Sequence, residues 1–164
     1  MTKEEFLKDM ANWSNHRHLL WEALELTKGD PNPVIEMGMG NGSTPYLAQY
    51  CADAGRTFIS YENHLEWFNK CQQFNPNSFH VTDWDVVSEL HPTPSVLFVD
   101  HAPGERRHVD IKIFAQRAKI IVIHDTEPAA TGYMVRPLIP LFKYWKDFES
   151  EGAWASMASN FIRF

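Results

Sequence analysis

The sequence predicts an α/β fold: a doubly wound, mostly parallel sheet with helices on both faces and an antiparallel hairpin at its C-terminal end. Five short apolar or β-branched runs, "PVIEM", "TFISYE", "SFHVTDW", "SVLFVD" and "KIIVIHD", alternate with amphipathic segments, and parallel neighbours need crossover connections of that kind. Val96 to Val99 and Ile120 to Ile123 are apolar throughout, which marks central strands buried on both faces. The final runs, "KYWKDFES" and "WASMASNFIRF", leave no room for a helix between them, so they should return on each other as an antiparallel pair.

Taken in order, the first thirty residues read as helical. Thr2 and Glu5 have capping-box spacing, and Phe6, Met10 and Trp13 recur at helix spacing. A second helix is expected from Asn15, with Leu19, Leu20, Ala23, Leu24 and Leu26 on its face, until "KGDPNP" breaks it. The first strand ends at Glu36. A glycine loop follows, then a helix begun near Ser43 or Thr44 with Pro45 in its first turn. With 164 residues, 44% apolar and 13% aromatic, the chain can bury one core, so residues 1–164 are expected to form a single domain. Residues 1–30 would be its N-terminal helices and 32–164 its ligand-binding core.

A formal charge of −6 argues against a protein built to hold a phosphate backbone, and no nucleic-acid partner is expected. The N-terminus "MTKEEFLKDM" is charged where a signal peptide needs an apolar core, and no run approaches the ~20 apolar residues of a membrane span. Cys51 and Cys71 lack metal-ligand spacing and read as reduced thiols, hence a cytoplasmic protein with no membrane partner. The chain shows no repeat, low-complexity tract or linker.

Gly38, Gly40 and Gly42 in "VIEMGMGNGSTPYL" alternate immediately after the first strand. In an open α/β sheet the ligand crevice lies outside the carboxyl ends of the strands, and bare backbone there allows close approach. The amino end of the following helix, at Ser43 and Thr44, should offer free N–H groups to a ligand. The loop nearly matches the dinucleotide fingerprint G-x-G-x-x-G, except that residue 43 is Ser. Glu36, just before the first glycine, would repel a pyrophosphate and suit an ammonium group. Glu62, closing "FISYE", could accept both hydroxyls of a ribose. These features together describe a ligand with a ribose and an amino group but no phosphate.

On these residues the chain resembles the class I S-adenosylmethionine-dependent methyltransferases, from about Asn32 to the C-terminus. "EMGMGNG" matches their first motif, E/D-x-G-x-G-x-G, and "SYENHLEWF" looks like the second. "VTDWD" falls where the family places residues beside the adenine, which maps to Asp83 and Trp84. "LFVDHAPGERR" and "IIVIHDTEP" look like the fourth- and fifth-strand segments. The resemblance implies a Rossmann-like fold and S-adenosylmethionine as cofactor, held by Glu36, Gly38, Gly40, Gly42, Ser43, Thr44, Glu62, Asp83, Trp84 and Asp100. "GSTPYL", "DHAPGERR" and "HDTEP" are similar to small bacterial members related to O-methyltransferases, which implies O-methylation of a small-molecule acceptor.

Methyl transfer to a hydroxyl needs something to take its proton, either a base or a metal ion. His101, on the loop after the fourth strand, is the expected base, with Asp125 assisting. His124 alternates inward in its strand and reads as a core histidine. Asp100, Asp125 and Glu127 could instead hold Mg²⁺. Metal-dependent relatives carry Asp-Asn or Asp-Asp after the fifth strand, whereas here Asp125 is followed by Thr126, so no metal is expected. Arg106 and Arg107 either clamp an anionic acceptor group or lie on a solvated face. Two other readings remain open: a module that binds S-adenosylmethionine without turnover, and an NAD-binding protein. A homo-oligomer could complete the acceptor pocket.

Overall fold

The computed structural model describes residues 1–128 and 133–164. The strands are β1 (Val34–Met37), β2 (Phe58–Glu62), β3 (Ser78–His80), β4 (Val96–Val99), β5 (Ile120–His124), β6 (Tyr144–Ser150) and β7 (Ala153–Ser159). They form one sheet in the order β3-β2-β1-β4-β5-β7-β6. The first five are parallel, and β7 lies antiparallel between β5 and β6. The order reverses between β1 and β4, which places the crevice at the carboxyl ends of those strands.

Side-chain alternation divides the core. Val34, Phe58, Val96, Phe98, Ile120 and Val122 pack beneath α1 (Lys3–Phe6), α2 (His16–Leu26) and α3 (Thr44–Asp53). On the other face Ile35, Met37, Leu97, Val99, Ile121 and Ile123 pack against α5 (Asp85–Leu90) and α6 (Arg107–Phe114). A further helix, α4 (Leu65–Cys71), follows β2. In α2 the spacing of Leu19, Leu20, Ala23 and Leu24 puts four buried side chains against the sheet. Each such leucine contributes ~1.5–3 kcal/mol on burial, enough to fix the helix over this face of the sheet, chiefly against β5 and β7.

The N-terminal helix is shorter than its pattern predicts. Thr2 and Glu5 form the expected capping box, but Asp9 sits in the left-handed region at φ 52 and ends the helical path. A 3-10 turn, Asn12–Ser14, leads into α2, and Trp13 is 57% exposed rather than on a buried face. β3 likewise stops at His80, because Asp83 and Trp84 turn the chain into α5. Cys51 and Cys71 are free and buried. Among the described residues no helix is long and apolar enough to cross a membrane.

Candidate functional site

The three glycines answer to different neighbours. Gly38 has φ +95, and a Cβ there would lie 2.6 Å from the backbone C of Asp100 and 2.6 Å from the N of His101. Its bareness admits the neighbouring strand's exit, not a ligand. A Cβ on Gly42 would come within 2.5 Å of Trp13 Cζ3 and 3.3 Å of Ser14 Cβ, so that glycine makes room for the N-terminal turn. Only Gly40 looks onto open space, its nearest neighbour being the Gly42 nitrogen at 4.0 Å. The expectation that all three were kept bare for a ligand is thereby reduced to one.

Glu36, Ser43 and Thr44 also serve the protein itself. Glu36 is fully buried and accepts hydrogen bonds from Ser43 Oγ at 2.5 Å, Thr44 Oγ1 at 2.9 Å and Ser60 Oγ at 2.8 Å. Burial pushes its carboxyl up to about 8, against the pull of the three hydroxyls. The group is therefore largely neutral at pH 7 and faces inward, which corrects its expected role as an exposed charge in the crevice. The backbone N–H groups of Ser43 and Thr44 bond to Gly40 O, at 3.3 and 3.0 Å. Thr44 Oγ1 also accepts from Gly40 N at 2.9 Å. The amino end of α3 is thus closed onto its own loop, contrary to the expectation of free donors there.

Glu62 stands where the sequence placed it. Its Oε2 accepts from Met39 N at 2.8 Å and its Oε1 from His64 N at 2.7 Å, which ties the glycine loop to the exit of β2. Each oxygen retains a lone pair for a ligand. Asp83 and Trp84 point in opposite directions. Asp83 is exposed, with Oδ1 accepting from Asp85 N at 3.0 Å. Trp84 is buried in the core beside Val87 and Ile111, donates from Nε1 to Ala102 O at 3.0 Å, and packs on the His101 ring at 4.3 Å. Its expected place beside an adenine is corrected to the core.

The residues after β4 and β5 form two separate arrangements. His101 is 1% exposed, and its Nε2 pairs with buried Asp110 Oδ2 at 2.9 Å. Burial, opposed by Asp110, holds its pKa below the ordinary histidine value. Arg106 closes that arrangement by bonding Asp110 and Asp85. His101 is therefore a packed histidine away from the crevice, and the sequence expectation that it is the base is corrected.

The second arrangement is at the crevice. Asp125, at φ 56, turns its carboxylate back toward the sheet. Arg107 bridges the two acids, reaching Asp100 Oδ1 and Asp125 Oδ2 at 3.0 Å each. It also donates to the carbonyls of Asp100, His101 and His124. His124 Nδ1 lies 3.1 Å from Asp100 Oδ1 and 3.2 Å from Asp125 Oδ1. Burial pushes Asp100 up, but the His124 hydrogen bond and the charges of His124 and Arg107 outweigh it and hold the carboxyl below its usual range. Asp100, His124 and Asp125 are close enough to share one cation, yet the guanidinium and imidazole already satisfy their facing oxygens. Glu127 turns away, accepting from Trp154 N at 3.4 Å, so the acid trio suggested by the sequence does not assemble. Arg107, read as an anion clamp or part of a solvated face, is instead buried between two carboxylates of the chain itself. His124, read as a core histidine, is buried but meets the same two acids. Asp110 has no assignment from the sequence, its one local signal being its place four residues after Arg106.

No family model matches the chain, and no curated protein matches its sequence. Solved structures do match. Cofactor-bound Rv0187 from MTB superposes with TM-score 0.66 at 14% identity, over 96% of this chain and 85% of that one. A SAM-dependent O-methyltransferase from Thermotoga maritima gives 0.64 at 15% identity, over 98% and 71%. TomG, an O-methyltransferase from Streptomyces achromogenes solved with SAM, gives 0.62 at 12% identity, over 97% and 94%. The chain has the fold of the class I S-adenosylmethionine-dependent methyltransferases. Within this methyltransferase fold the antiparallel β7, inserted between β5 and β6, separates the chain from the all-parallel dinucleotide-binding order. That topology, rather than a charge on Glu36, disfavours the NAD-binding reading.

Proposed function

We propose that this protein binds S-adenosylmethionine and transfers its methyl group to an oxygen of a small-molecule acceptor. The observation that carries the reading is the pairing of open backbone at Gly40 with the Glu62 carboxylate across the mouth of β1 and β2, in a methyltransferase fold. The donor set fits the cofactor. Glu62 would accept from the ribose hydroxyls, the bare backbone at Gly40 would admit the aminoacyl part, and the free oxygen of Asp83 lies at the exit of β3 for the base. When bound, the cofactor supplies an electrophilic methyl carbon on a sulfonium. The chain's own work is then positioning, for which effective molarities of ~10⁵ M or more are available, and removal of the acceptor's proton. The O-methyltransferases among the structural neighbours support oxygen as the acceptor atom. The absence of long insertions between strands β1 to β5 supports a small acceptor.

Isothermal calorimetry with S-adenosylmethionine, S-adenosylhomocysteine and NAD tests the reading. Saturable binding of the first two and none of NAD is expected. Binding of NAD alone would overturn it, and S-adenosylmethionine bound without transfer to any member of a metabolite pool would favour a module without turnover.

A further inference from the structure

We propose that His124, oriented by Asp100, is the general base of this site and acts through its unpartnered Nε2. The inference rests on the methyltransferase reading above. His124 ends β5 at the carboxyl edge of the sheet, one strand from the switch point, and Asp100 leaves β4 beside it. The ring's Nδ1 lies between the Asp100 and Asp125 carboxylates. A nitrogen between two anions carries the proton, which leaves Nε2 with the lone pair in the neutral ring.

That Nε2 is buried and has no hydrogen-bond partner. An unsatisfied buried polar atom costs ~1–3 kcal/mol, and such atoms are few in native proteins and call for a reason. Here they are clustered. His16, at the start of α2, meets His124 edge to face with ring centroids 4.7 Å apart, and both of its ring nitrogens are also unpartnered. The Gly42 backbone is near enough to act weakly on His16 as a hydrogen-bond partner, although no bond of normal geometry forms. Unpartnered imidazole nitrogens of both rings therefore lie buried together near the glycine loop at the end of β5. Because neutral His16 carries one N–H, a hydroxyl placed there would donate to His124 Nε2 and accept from His16. Burial, reinforced by the charge of His124, pushes His16 down to about 3, so it stays neutral beside the base. His101 cannot take the role, since Asp110 and Trp84 enclose it.

The step balances without a further reagent. His124 Nε2 takes the acceptor's proton as the acceptor oxygen forms its bond to the methyl carbon. The carbon–sulfur bond breaks with its electron pair returning to sulfur, and the resulting imidazolium is held by Asp100 and Asp125. Four ionisable groups set the ring's titration: Asp100 after β4, Asp125 after β5, Arg107 on α6 and His16 on α2. Burial lowers the His124 pKa, but the Asp100 hydrogen bond and the two carboxylate charges outweigh it and leave the value raised.

Long-range ¹H–¹⁵N spectra of the histidine-labelled chain, alone and with S-adenosylhomocysteine, test the assignment without turnover. The neutral His124 ring should carry its proton on Nδ1, with Nε2 bare, and should titrate above the ordinary ~6.5. Asp100→Asn should lower that titration by about one pH unit, which is a tenfold change in proton affinity. Transfer from radiolabelled S-adenosylmethionine to phenol, catechol, serine and glycerol, probes of graded hydroxyl acidity, supplies the second readout. His124→Gln should lower kcat ~10²–10⁴-fold, the share of a general base, with cofactor affinity unchanged, and added imidazole should restore part of the rate to His124→Gly. A neutral ring protonated on Nε2, or an unaltered kcat in a folded His124→Gln, would overturn the proposal. Cofactor binding with no transfer to any probe would overturn it while leaving the cofactor reading intact; no cofactor binding would remove both.

Discussion

Glu36→Gln isolates the cost of the carboxyl buried beneath the glycine loop. In the folded chain Glu36 is fully enclosed and titrates at about 8 instead of the ordinary 4.5. The unfolded chain therefore releases this proton from about pH 4.5 upward while the folded chain keeps it. The stability that Glu36 contributes is complete below the unfolded value and is lost as pH rises toward 8. At about 1.4 kcal/mol per pH unit, the window from 4.5 to about 8 amounts to about 5 kcal/mol, a large part of a small domain's ~5–15 kcal/mol. Glutamine mimics the neutral acid, and the hydroxyls of Ser43, Thr44 and Ser60 can rotate to meet it. Urea unfolding of both proteins from pH 5 to pH 9 should give stabilities within ~1 kcal/mol at pH 5 and a variant several kcal/mol more stable at pH 9, since the difference cancels the histidines that titrate in the same range. S-adenosylmethionine affinity at pH 7 should change by less than about threefold, because the wild-type group is already mostly neutral. Parallel stability curves across the whole range would show that Glu36 is ionised throughout and would refute the argument.

The glycines should separate by neighbour: Gly40→Val should fold and lose cofactor binding, whereas Gly38→Ala should destabilise the fold itself, its Cβ meeting backbone at 2.6 Å with φ +95. Circular dichroism melts and calorimetry distinguish the two, and undiminished affinity in folded Gly40→Val would sink the loop assignment. Glu62→Ala should weaken S-adenosylmethionine by ~1.5–3 kcal/mol, the scale for hydrogen bonds to a charged group. An equal loss for an analogue without ribose hydroxyls would show that Glu62 does not hold them. Arg107→Met should cost ~2–4 kcal/mol in thermal unfolding, somewhat less than a fully buried pair, because Asp100 and Asp125 remain 27% and 33% exposed. Since Arg107 spans the carboxylates, methyl transfer should be indifferent to EDTA; loss with chelator and recovery with Mg²⁺ would reverse that view.

What the sequence determined by itself was whatever is local. Alternation and apolar runs placed the strands, because a buried parallel strand must be apolar wherever it sits. The glycine loop and Glu62 were legible because both lie at strand exits, whose position in an α/β sheet follows from the chain's direction alone. Only the tertiary structure decided which of these residues look onto open space and which are covered by the chain itself. Gly38 and Gly42 have the same local pattern as Gly40, but the first is crossed by the Asp100–His101 backbone and the second by Trp13, contacts made by chain remote in sequence. Trp84 and Asp83 are adjacent, yet the turn into α5 sends one into the core and leaves the other in solvent. His101 and His124 both follow apolar strands. Asp100 and His101 leave β4 on opposite faces, so His101 meets Asp110 of α6, while His124 emerges beneath α2 beside His16. The ion pairs of Arg107 have no sequence signature either, since its two carboxylates lie 7 and 18 positions away on different strand exits. Long-range packing selects among locally equivalent candidates, because side-chain direction at a strand's end depends on what is stacked against each face of the sheet.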